Sequence, residues 1–491
     1  MSNGLTAGIK QKLRQVVGEE GLAGDAATLV VRPFGTEQVK SLVGLAREEG
    51  LNLVPVSSSA PHLKGGSAPA APGVLVDLSS MDRIVRLDRR NRVALVEPGV
   101  TFAALREAAA REGLRVLAPL APRPGKSVLA SCLEREPFLI PKYHWDSTDP
   151  LLCMEVVFGT GDVFRTGSAA GPGSLEDQWS LGNAQKNPMG PASSDLGKLV
   201  QGAQGTLGVV TWGTVKLEVQ PSIHEFYFIQ ADDLGGISAF VYEACKRRLG
   251  DEMLILNPAA LAALLGGSPE EMDACAARQT PYTLIYAVSG IPGCLPERKV
   301  AYQEKDLASI ARESGLTPRR EIPGANCVRM VRALAGDPAG PYWKTRPRGA
   351  CRDLFFLTTL DRAPGFIATM REAAASRGYS GEMGVYVQPL QQGRACHLEF
   401  NLFYNPSEEA EAARVDELAR EAAAAMAQAG AFFSRPHEPW VQTAYDRCPD
   451  TVYALRELKK IFDPDGVLNR GKLCFTETTA TTATTETEGG A

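Results

Sequence analysis

The amino-terminal part of the chain alternates helical and extended hydrophobic patterns. Between Thr36 and Gly50, apolar side chains recur every three or four positions, which predicts a helix capped by Thr36 and ended at Gly50. The segment LNLVPV that follows is typical of a short buried strand, and TFAALREAAAREGL predicts a second helix between Thr101 and Gly113. This succession of strand, helix and strand favours an α/β arrangement here.

From Leu151 onwards, extended segments dominate the pattern. LLCMEVVFGTGDVFRTG predicts a hairpin that turns at residues 159–162, and a loop rich in glycine, proline, serine and asparagine covers residues 167–195. The segment KLVQGAQGTLGVVTWGTVKLEVQP then places a glycine turn between two apolar runs. We expect the first domain to end near Pro221.

Residues 222–430 alternate strand-like runs, such as EFYFIQ, YTLIYAVSG and ACHLEFNLFY, with alanine-rich helical segments. This pattern predicts a second domain of the α+β class. Residues 431–475 end in a helix followed by a turn with proline and glycine. The last residues, 476–491, read TETTATTATTETEGGA and are predicted to be disordered because of their low complexity.

Composition narrows the classes of function. The 52 basic and 57 acidic residues give a formal net charge of -5, which argues against nucleic acid as a partner. The amino terminus has no apolar signal core, and no apolar run reaches the roughly eighteen residues of a membrane span, so we expect a cytoplasmic protein without a transmembrane segment. The ten cysteines form no CxxC pair, so we expect reduced thiols and no metal or cluster bound by this chain.

Five segments in a fixed order carry a resemblance: EPGVTFAAL, KSVLAS after a proline-rich loop, LCMEVVFGTGDVFRTG, GAQGTLGVVTWGTVKLE and IFDPDGVLNRGKL. Together they are similar to the FAD-linked oxidases of the vanillyl-alcohol oxidase and p-cresol methylhydroxylase (PCMH) superfamily. The resemblance implies an α+β fold with a two-part PCMH-type FAD-binding domain at residues 1–221. It also implies an α+β substrate (cap) domain at 222–430 and a segment at 431–475 that returns to the FAD site.

The cofactor contacts implied by the resemblance also have a physical basis. Glycines in GAQGTLGVV expose backbone amides and let a flat ring or a diphosphate approach closely. The helix start after EPGVT favours an anion, although Thr101 can also serve only as the helix cap. The implied FAD contacts are Ser57, Ser58, Ser59, His62, Pro98, Gly99, Val100, Thr101, Ser127, Gly205, Thr206, Gly208, Val210, Asn469 and Lys472.

The segment PVSSSAPHLKGG departs from the family pattern. Relatives usually have an arginine or lysine, three glycines and a small polar residue where this chain has residues 57–62, which read SSSAPH. Pro61 lacks an amide hydrogen, so the usual amide cradle around the diphosphate does not form unchanged. Our hypothesis is that serine hydroxyls hold the diphosphate, with residues 64–66 at the far end of the turn; loss of FAD binding is the alternative. His62 is interpreted as a hydrogen-bonding residue, a structural residue or a covalent attachment point.

Two further segments are unusually polar. CLEREPFLIPKYHWD begins at Cys132, where relatives have a glycine-rich stretch, and would shape the rim of the flavin site or dock a partner; a solvated charged loop is the alternative. YWKTRPRGACR has basic residues at positions 344, 346, 348 and 352. This basic cluster would attract an anionic substrate or an acidic partner, or form a solvated face.

Two segments supply candidate catalytic groups. Alternation along HLEFNLFY places His397, Glu399 and Asn401 on one strand face, a spacing that suits a buried acid-base pair, although a structural histidine is the alternative. The turn FFSRPHEPW offers His437 and also Arg435, which could hold a carboxylate by two parallel hydrogen bonds. The sequence lacks the GDGNxH stretch of metal-assisted hydroxyacid dehydrogenases.

Two functions from different classes remain open. In the first, the protein is an FAD-dependent dehydrogenase: flavin N5 takes a hydride from a small alcohol, phenol or hydroxy acid, and the electrons pass to an iron-sulfur or electron-transfer flavoprotein subunit. In the second, it is an electron-transfer or scaffolding subunit of a redox complex, with or without flavin. A nicotinamide enzyme is disfavoured because no GxGxxG follows the first strand. A homo-oligomer is compatible with either function.

Overall fold

Residues 7–24, 29–60, 71, 73–142, 150–191, 195–336, 340–379 and 381–475 are described by the computed structural model. They form three main sheets with helices packed around them, which confirms the predicted α+β class. The predicted disordered tail at 476–491 lies outside the described residues. In the described part of the chain, none of the helices combines the length and the apolar character that crossing a bilayer requires.

The first sheet has four strands in the order β1-β2-β4-β3, of which the last three are parallel. As predicted, α2 ends at Gly50, whose φ of 65° gives a left-handed cap. Thr36 is not the cap of α2, because it is the first helical residue and its Oγ1 donates to Glu155 Oε1 at 2.7 Å in the second sheet. The elements are α1 (Ala7–Val17), β1 (Leu22–Gly24), β2 (Leu29–Val31), α2 (Thr36–Glu49), β3 (Leu53–Val56) and β4 (Val74–Asp77).

The second sheet is antiparallel, with the order β5-β6-β10-β8-β9 and with β7 paired to β10. The hairpin predicted at 159–162 joins β8 to β9. The loop expected at 167–195 contains α5, which forms because Ser174 and Asp177 make a reciprocal capping box. The elements are β5 (Ile84–Asp88), β6 (Val93–Val96), α3 (Phe102–Arg111), β7 (Leu114–Val116), α4 (Val128–Leu133), β8 (Leu151–Phe158), β9 (Val163–Arg165), α5 (Leu175–Ser180) and β10 (Gly208–Val219).

The third sheet has six antiparallel strands in the order β11-β13-β12-β17-β18-β16. Its strands are β11 (Ile223–Ala231), β12 (Met253–Leu256), β13 (Tyr282–Gly290), β16 (Ala350–Thr358), β17 (Gly384–Leu390) and β18 (Ala395–Tyr404), beside a ribbon of β14 (Glu321–Ile322) and β15 (Ala325–Asn326). Its helices are α6 (Leu234–Lys246), α7 (Pro258–Leu265), α8 (Pro269–Ala276), α9 (Pro296–Glu313), α10 (Cys327–Ala335), α11 (Ala363–Ser376) and α12 (Glu409–Gln428).

The two faces of the third sheet are buried by different partners. Apolar side chains of α6, α9, α11 and α12 cover one face. On the other face, α7 and α10 pack together with Leu120, Ala121 and Leu139, which precede and follow α4. This second core therefore joins the third sheet to the amino-terminal part of the molecule.

The carboxyl-terminal segment closes the structure through α13 (Val441–Tyr445) and α14 (Pro449–Phe462). After α14 the chain reaches β3, where Leu468 forms a parallel bridge with Leu53. The amide of Leu53 donates to Val467 O at 2.8 Å, and the amide of Asn469 donates to Leu53 O at 2.8 Å. The outer edge of β3 is therefore paired by the end of the chain.

Candidate functional site

A cavity of about 480 Å³ lies between the first two sheets and the third sheet. The first wall comes from the end of β3, the proline loop at residues 122–126, α4 and the glycine turn at residues 202–208. The opposite wall comes from the third sheet and from the turn that carries Arg435 and His437. Of the predicted site residues, Ser57, Ser58, Pro98, Gly205, Gly208, Val210, Glu399, Arg435 and His437 line the cavity.

The glycine turn is held against β3. Gly205 has a φ of 71°, and a Cβ atom added there would lie 2.3 Å from Pro55 Cγ, so the position requires glycine. Thr206 is buried and its Oγ1 donates to Ala203 O at 2.7 Å, which fixes the turn from behind. Asn469 Nδ2 donates to the backbone carbonyl of Gln204 at 2.7 Å. Thr206 and Asn469 therefore support the wall of the cavity from behind it.

The serine loop at residues 57–59 contacts the proline loop. The amide of Ser59 donates to Gly125 O at 3.0 Å, and the amide of Ser127 donates to Ser58 Oγ at 3.1 Å. Ser127 Oγ in turn caps α4 by accepting from Ala130 N. These two backbone amides are thus engaged within the protein, whereas the serine hydroxyls keep a hydrogen to donate. The predictions for Pro61, His62 and residues 64–66 lie outside the described residues.

The segment around Thr101 lies mostly behind the cavity wall. Thr101 Oγ1 accepts from Ala104 N at 3.3 Å and caps α3, the structural alternative considered above. A Cβ on Gly99 would lie 2.2 Å from Ser79 O, and Val100 is buried. Lys472 is buried but does not reach the cavity lining.

The wall formed by the third sheet contains a buried group of charges. Lys344 Nζ donates to Asp353 Oδ2 and to Glu399 Oε1, each at 2.5 Å. Asn401 Nδ2 donates to Asp353 Oδ1 at 2.8 Å and to Glu399 Oε1 at 2.7 Å. The register of β16 and β18 causes this, since it places Asp353 opposite Asn401. Lys344 is therefore not on a solvated face, the alternative raised for the basic cluster.

His397 links Glu399 to Arg435. The imidazole Nε2 lies 3.1 Å from Glu399 Oε2, and Arg435 Nη2 lies 3.3 Å from His397 Nδ1. Burial lowers the pKa of His397 to about 4, with the cation of Arg435 acting in the same direction. The ring is thus neutral at pH 7, with Nε2–H donating to the carboxylate and Nδ1 accepting from the guanidinium. His397 lies behind Arg435 and does not line the cavity.

The charges in this group stabilise one another. Burial alone would raise the pKa of Glu399, but Lys344 and His397 hold it well below its usual range. Burial alone would lower the pKa of Lys344, but Asp353 and Glu399 raise it well above its usual range. Burial lowers the pKa of Arg435, whose guanidinium lies 4.1 Å from the centre of the Phe355 ring.

The turn that carries Arg435 is anchored to the first wall. Gln204 Nε2 donates to Pro436 O at 2.5 Å and lies 3.4 Å from His437 Nδ1. Arg135 donates to the carbonyl of Ser434. Residues 132–136, the start of the polar run described above, thus make a structural contact beside the site through Arg135. The rest of that polar run, from residue 143 onwards, lies outside the described residues.

Several cavity residues are not among the sequence-based site predictions, and Arg123, Lys126, Tyr342 and Tyr386 are polar examples. Lys126 Nζ lies 2.6 Å from Glu134 Oε2 and 3.4 Å from Glu136 Oε1. Arg123 lies three positions before Lys126, the first residue of the KSVLAS motif, and this proximity was the available signal. Sheet register places Tyr386 at the cavity and the path of a loop places Tyr342 there, and neither can be predicted from the local sequence.

The residues present fit FAD. The volume lies in the range of roughly 300–1,000 Å³ typical of ligand sites. Leu129, Val209 and Val210 offer an apolar surface for a flat ring, and the serine hydroxyls with Arg123 offer donors for phosphate. Gly202, Gly205 and Gly208 of the glycine turn also line the cavity, and without side chains they present their backbone to it.

Comparisons with known proteins agree with this geometry. Residues 27–167 match the model of the FAD binding domain, and residues 357–473 match that of the FAD linked oxidases, C-terminal domain. An uncharacterized FAD-linked oxidoreductase of Mycobacterium tuberculosis is 25% identical over 467 residues, covering 90% of this chain and 89% of the relative. D-lactate dehydrogenase [cytochrome] of Arabidopsis thaliana is 30% identical over 193 residues, covering 39% of this chain and 30% of the relative.

The fold is also that of solved structures. The crystal structure of p-cresol methylhydroxylase with substrate bound superposes with a TM-score of 0.79 at 17% identity, covering 95% of this chain and 96% of that one. The predicted PCMH-type fold is thereby confirmed. From the two family models and the relatives it follows that this chain, which has the fold of p-cresol methylhydroxylase, belongs to the FAD-linked oxidases and is an FAD-dependent oxidoreductase.

Proposed function

We propose that the protein is a dehydrogenase that oxidises an uncharged alcohol or phenol bound between the glycine turn and Arg435. The charge balance of the wall formed by the third sheet supports this substrate class. Lys344 faces Asp353 and Glu399, and Arg435 is linked to Glu399 through His397, so the ionised groups compensate one another. A substrate carboxylate would add an uncompensated buried charge, whereas a hydroxyl group requires only hydrogen bonds.

The residues of this wall have distinct roles in the proposal. FAD, when bound, supplies the acceptor for the hydride. Arg435 hydrogen-bonds the substrate oxygen and stabilises the negative charge that it gains as its hydroxyl proton leaves to solvent, and that charge is used up in the new carbon-oxygen double bond as the hydride leaves. Desolvation raises the pKa of Tyr342 and Tyr386, so both phenols stay protonated. Tyr386 already donates to Gln388 Oε1 at 3.0 Å, so Tyr342 is the phenol that donates to the substrate in this proposal. Trp440 Nε1 donates to Arg435 O at 3.1 Å and keeps the arginine in place.

We further propose that the electrons leave to a protein acceptor. The name of the Arabidopsis relative, D-lactate dehydrogenase [cytochrome], supports this part of the proposal, since it gives a protein as the acceptor. Flavin that is reduced by substrate and reoxidised faster by cytochrome c than by dissolved oxygen would agree with it. Faster reoxidation by oxygen would make the protein an oxidase instead.

The substrate class is tested by anaerobic reduction. The flavin-loaded protein is mixed with a 4-alkylphenol, a primary aromatic alcohol, glycolate or D-lactate, and the loss of flavin absorbance is recorded. We expect the phenol or the alcohol to reduce the flavin and the two hydroxy acids not to do so. If only a hydroxy acid reduces the flavin, the proposed class of uncharged substrates is wrong. If none of the four compounds reduces it, the result contradicts the proposed dehydrogenase activity.

Replacing Arg435 tests its place in the reaction. In Arg435→Met we expect the rate of flavin reduction to fall at least about 100-fold, because a group that stabilises developing charge is lost. The amount of bound FAD should stay the same. Arg420→Met is the matched control, since Arg420 is exposed on α12. An equal rate in wild type and Arg435→Met would contradict the role.

A further inference from the structure

Arg123 lies beside the serine loop at the wall of the cavity. It belongs to the proline loop, whose Gly125 O accepts from the Ser59 amide at 3.0 Å. A Cβ atom added to Gly125 would lie 1.8 Å from Ser59 Oγ and 3.1 Å from Arg123 Nη1. The hydroxyl and the guanidinium are therefore close to the same point in space, and glycine at 125 leaves room for both.

The charge of Arg123 is less compensated than that of three other cavity cations. Lys126 is paired with two glutamates, Lys344 with an aspartate and a glutamate, and Arg352 with Asp416. Within the described residues, no carboxylate forms an ion pair with Arg123. Burial lowers its pKa, and the more distant Tyr342, Glu134 and Glu136 offset this only in part. A bound anion would supply the missing counter-charge.

We propose that Arg123 binds the diphosphate of FAD and replaces part of the amide cradle that a glycine loop would provide. This inference rests on FAD as the cofactor and is independent of the substrate proposed above. The amides of Ser59 and Ser127 already donate within the protein, so hydroxyl donors from residues 57–59 and the guanidinium take the place of these two amides. A guanidinium is suited to this task because its planar fork donates two parallel hydrogen bonds to a phosphate.

The test compares flavins with and without phosphates. Flavin-free protein, prepared by acid-salt treatment and checked by reconstitution with FAD, is titrated with FAD and with riboflavin while the flavin fluorescence is followed. In Arg123→Gln we expect FAD to bind about 10- to 100-fold more weakly, as for the loss of a hydrogen bond to a charged group. Riboflavin, which has no diphosphate, should bind equally to wild type and variant. Arg123→Lys should show an intermediate loss, since it keeps the charge without the fork.

Other outcomes would overturn the inference. Unchanged FAD affinity in Arg123→Gln would exclude the diphosphate as the partner, and if KM for the reducing substrate rises at the same time, Arg123 belongs to the substrate site. An equal loss of affinity for FAD and for riboflavin would mean that the substitution disturbs binding of the flavin ring or folding, and not binding of the diphosphate. Arg420→Gln, on the exposed face of α12, controls for removal of a positive charge. Because binding is measured without turnover, failure of the proposed dehydrogenase reaction would leave this result interpretable.

Discussion

His397 is held between an anion and a cation, and this fixes both its protonation and its tautomer. Glu399 accepts from one ring nitrogen and Arg435 donates to the other. The rings of Phe355 and Tyr386 pack against the same imidazole. A base must be free to take a proton from the substrate, whereas both nitrogens of His397 are already engaged. We therefore interpret His397 as the residue that positions Arg435.

The stability of the protein should depend on pH through His397. The pKa is about 4 in the folded protein and 6.5 in its ordinary state, so between these values the unfolded chain binds more protons. Stability should therefore fall as the pH decreases from 6.5 to 4. His397→Asn lacks the group and should show a flatter dependence in this window. Thermal unfolding of both proteins from pH 4 to 7 measures it, and identical slopes would contradict a neutral buried histidine.

At the scale of the elements, the glycine turn depends on its close approach to β3. Gly205 combines a left-handed backbone with a separation from Pro55 that leaves no room for a Cβ atom. Gly161, in the β8–β9 hairpin, also has a positive φ of 88°, but an added Cβ would meet nothing within 4 Å. Alanine substitutions at these two glycines therefore distinguish the cost of backbone strain from the cost of a steric clash.

Gly205→Ala should consequently cost more than Gly161→Ala. Both variants carry the penalty of a positive φ, roughly 1 kcal/mol, but only the first pushes the turn away from β3. We expect Gly205→Ala to weaken FAD binding at least about tenfold and Gly161→Ala to leave it unchanged. Flavin titration and urea unfolding of the two variants check this. Equal FAD affinities would show that the close approach has no bearing on the cofactor.

The sequence predicted those structural features that depend on residues close to one another in the chain. Gly50, the β8–β9 hairpin and the alternation that puts His397 beside Glu399 all follow from patterns within a few residues. The partners across the sheet were not predictable, because the register of β16 against β18 decides that Asp353 meets Asn401. The burial of Lys344 was not predictable for the same reason, because only the fold brings Asp353 and Glu399 to its ammonium group.

At the scale of the molecule, a buried aspartate connects the two parts that enclose the cavity. Asp251 precedes β12 of the third sheet and pairs with Arg115 of β7 at 2.8 Å and with Lys142. Ser289 also donates to it. Burial alone would raise the pKa of Asp251, but the two cations lower it on balance. His224 and Glu252 lie beside this group, which the two cations make unfavourable for a metal ion.

Asp251→Asn should loosen this connection. The substitution leaves two partly buried cations without this carboxylate, while Arg115 keeps Glu252 at 3.5 Å, so we expect a cost of roughly 1–3 kcal/mol. We expect a lower unfolding midpoint in urea and earlier proteolysis between the two parts. Asp273→Asn on the exposed face of α8 is the control. A midpoint equal to that of the wild type would mean that the apolar contacts around Leu120 and Leu139 suffice to hold the parts together.

The pairing of β3 with residues 467–469 has a consequence for biosynthesis. The first sheet and the glycine turn precede residues 467–469 by long stretches of chain, but both are completed by those residues. A nascent chain that already contains β1 to β18 still has an unpaired edge on β3 and a turn that lacks Asn469. Cofactor capture should therefore require synthesis to pass residue 469, and a premature stop after α14 should yield a well-translated but colourless protein.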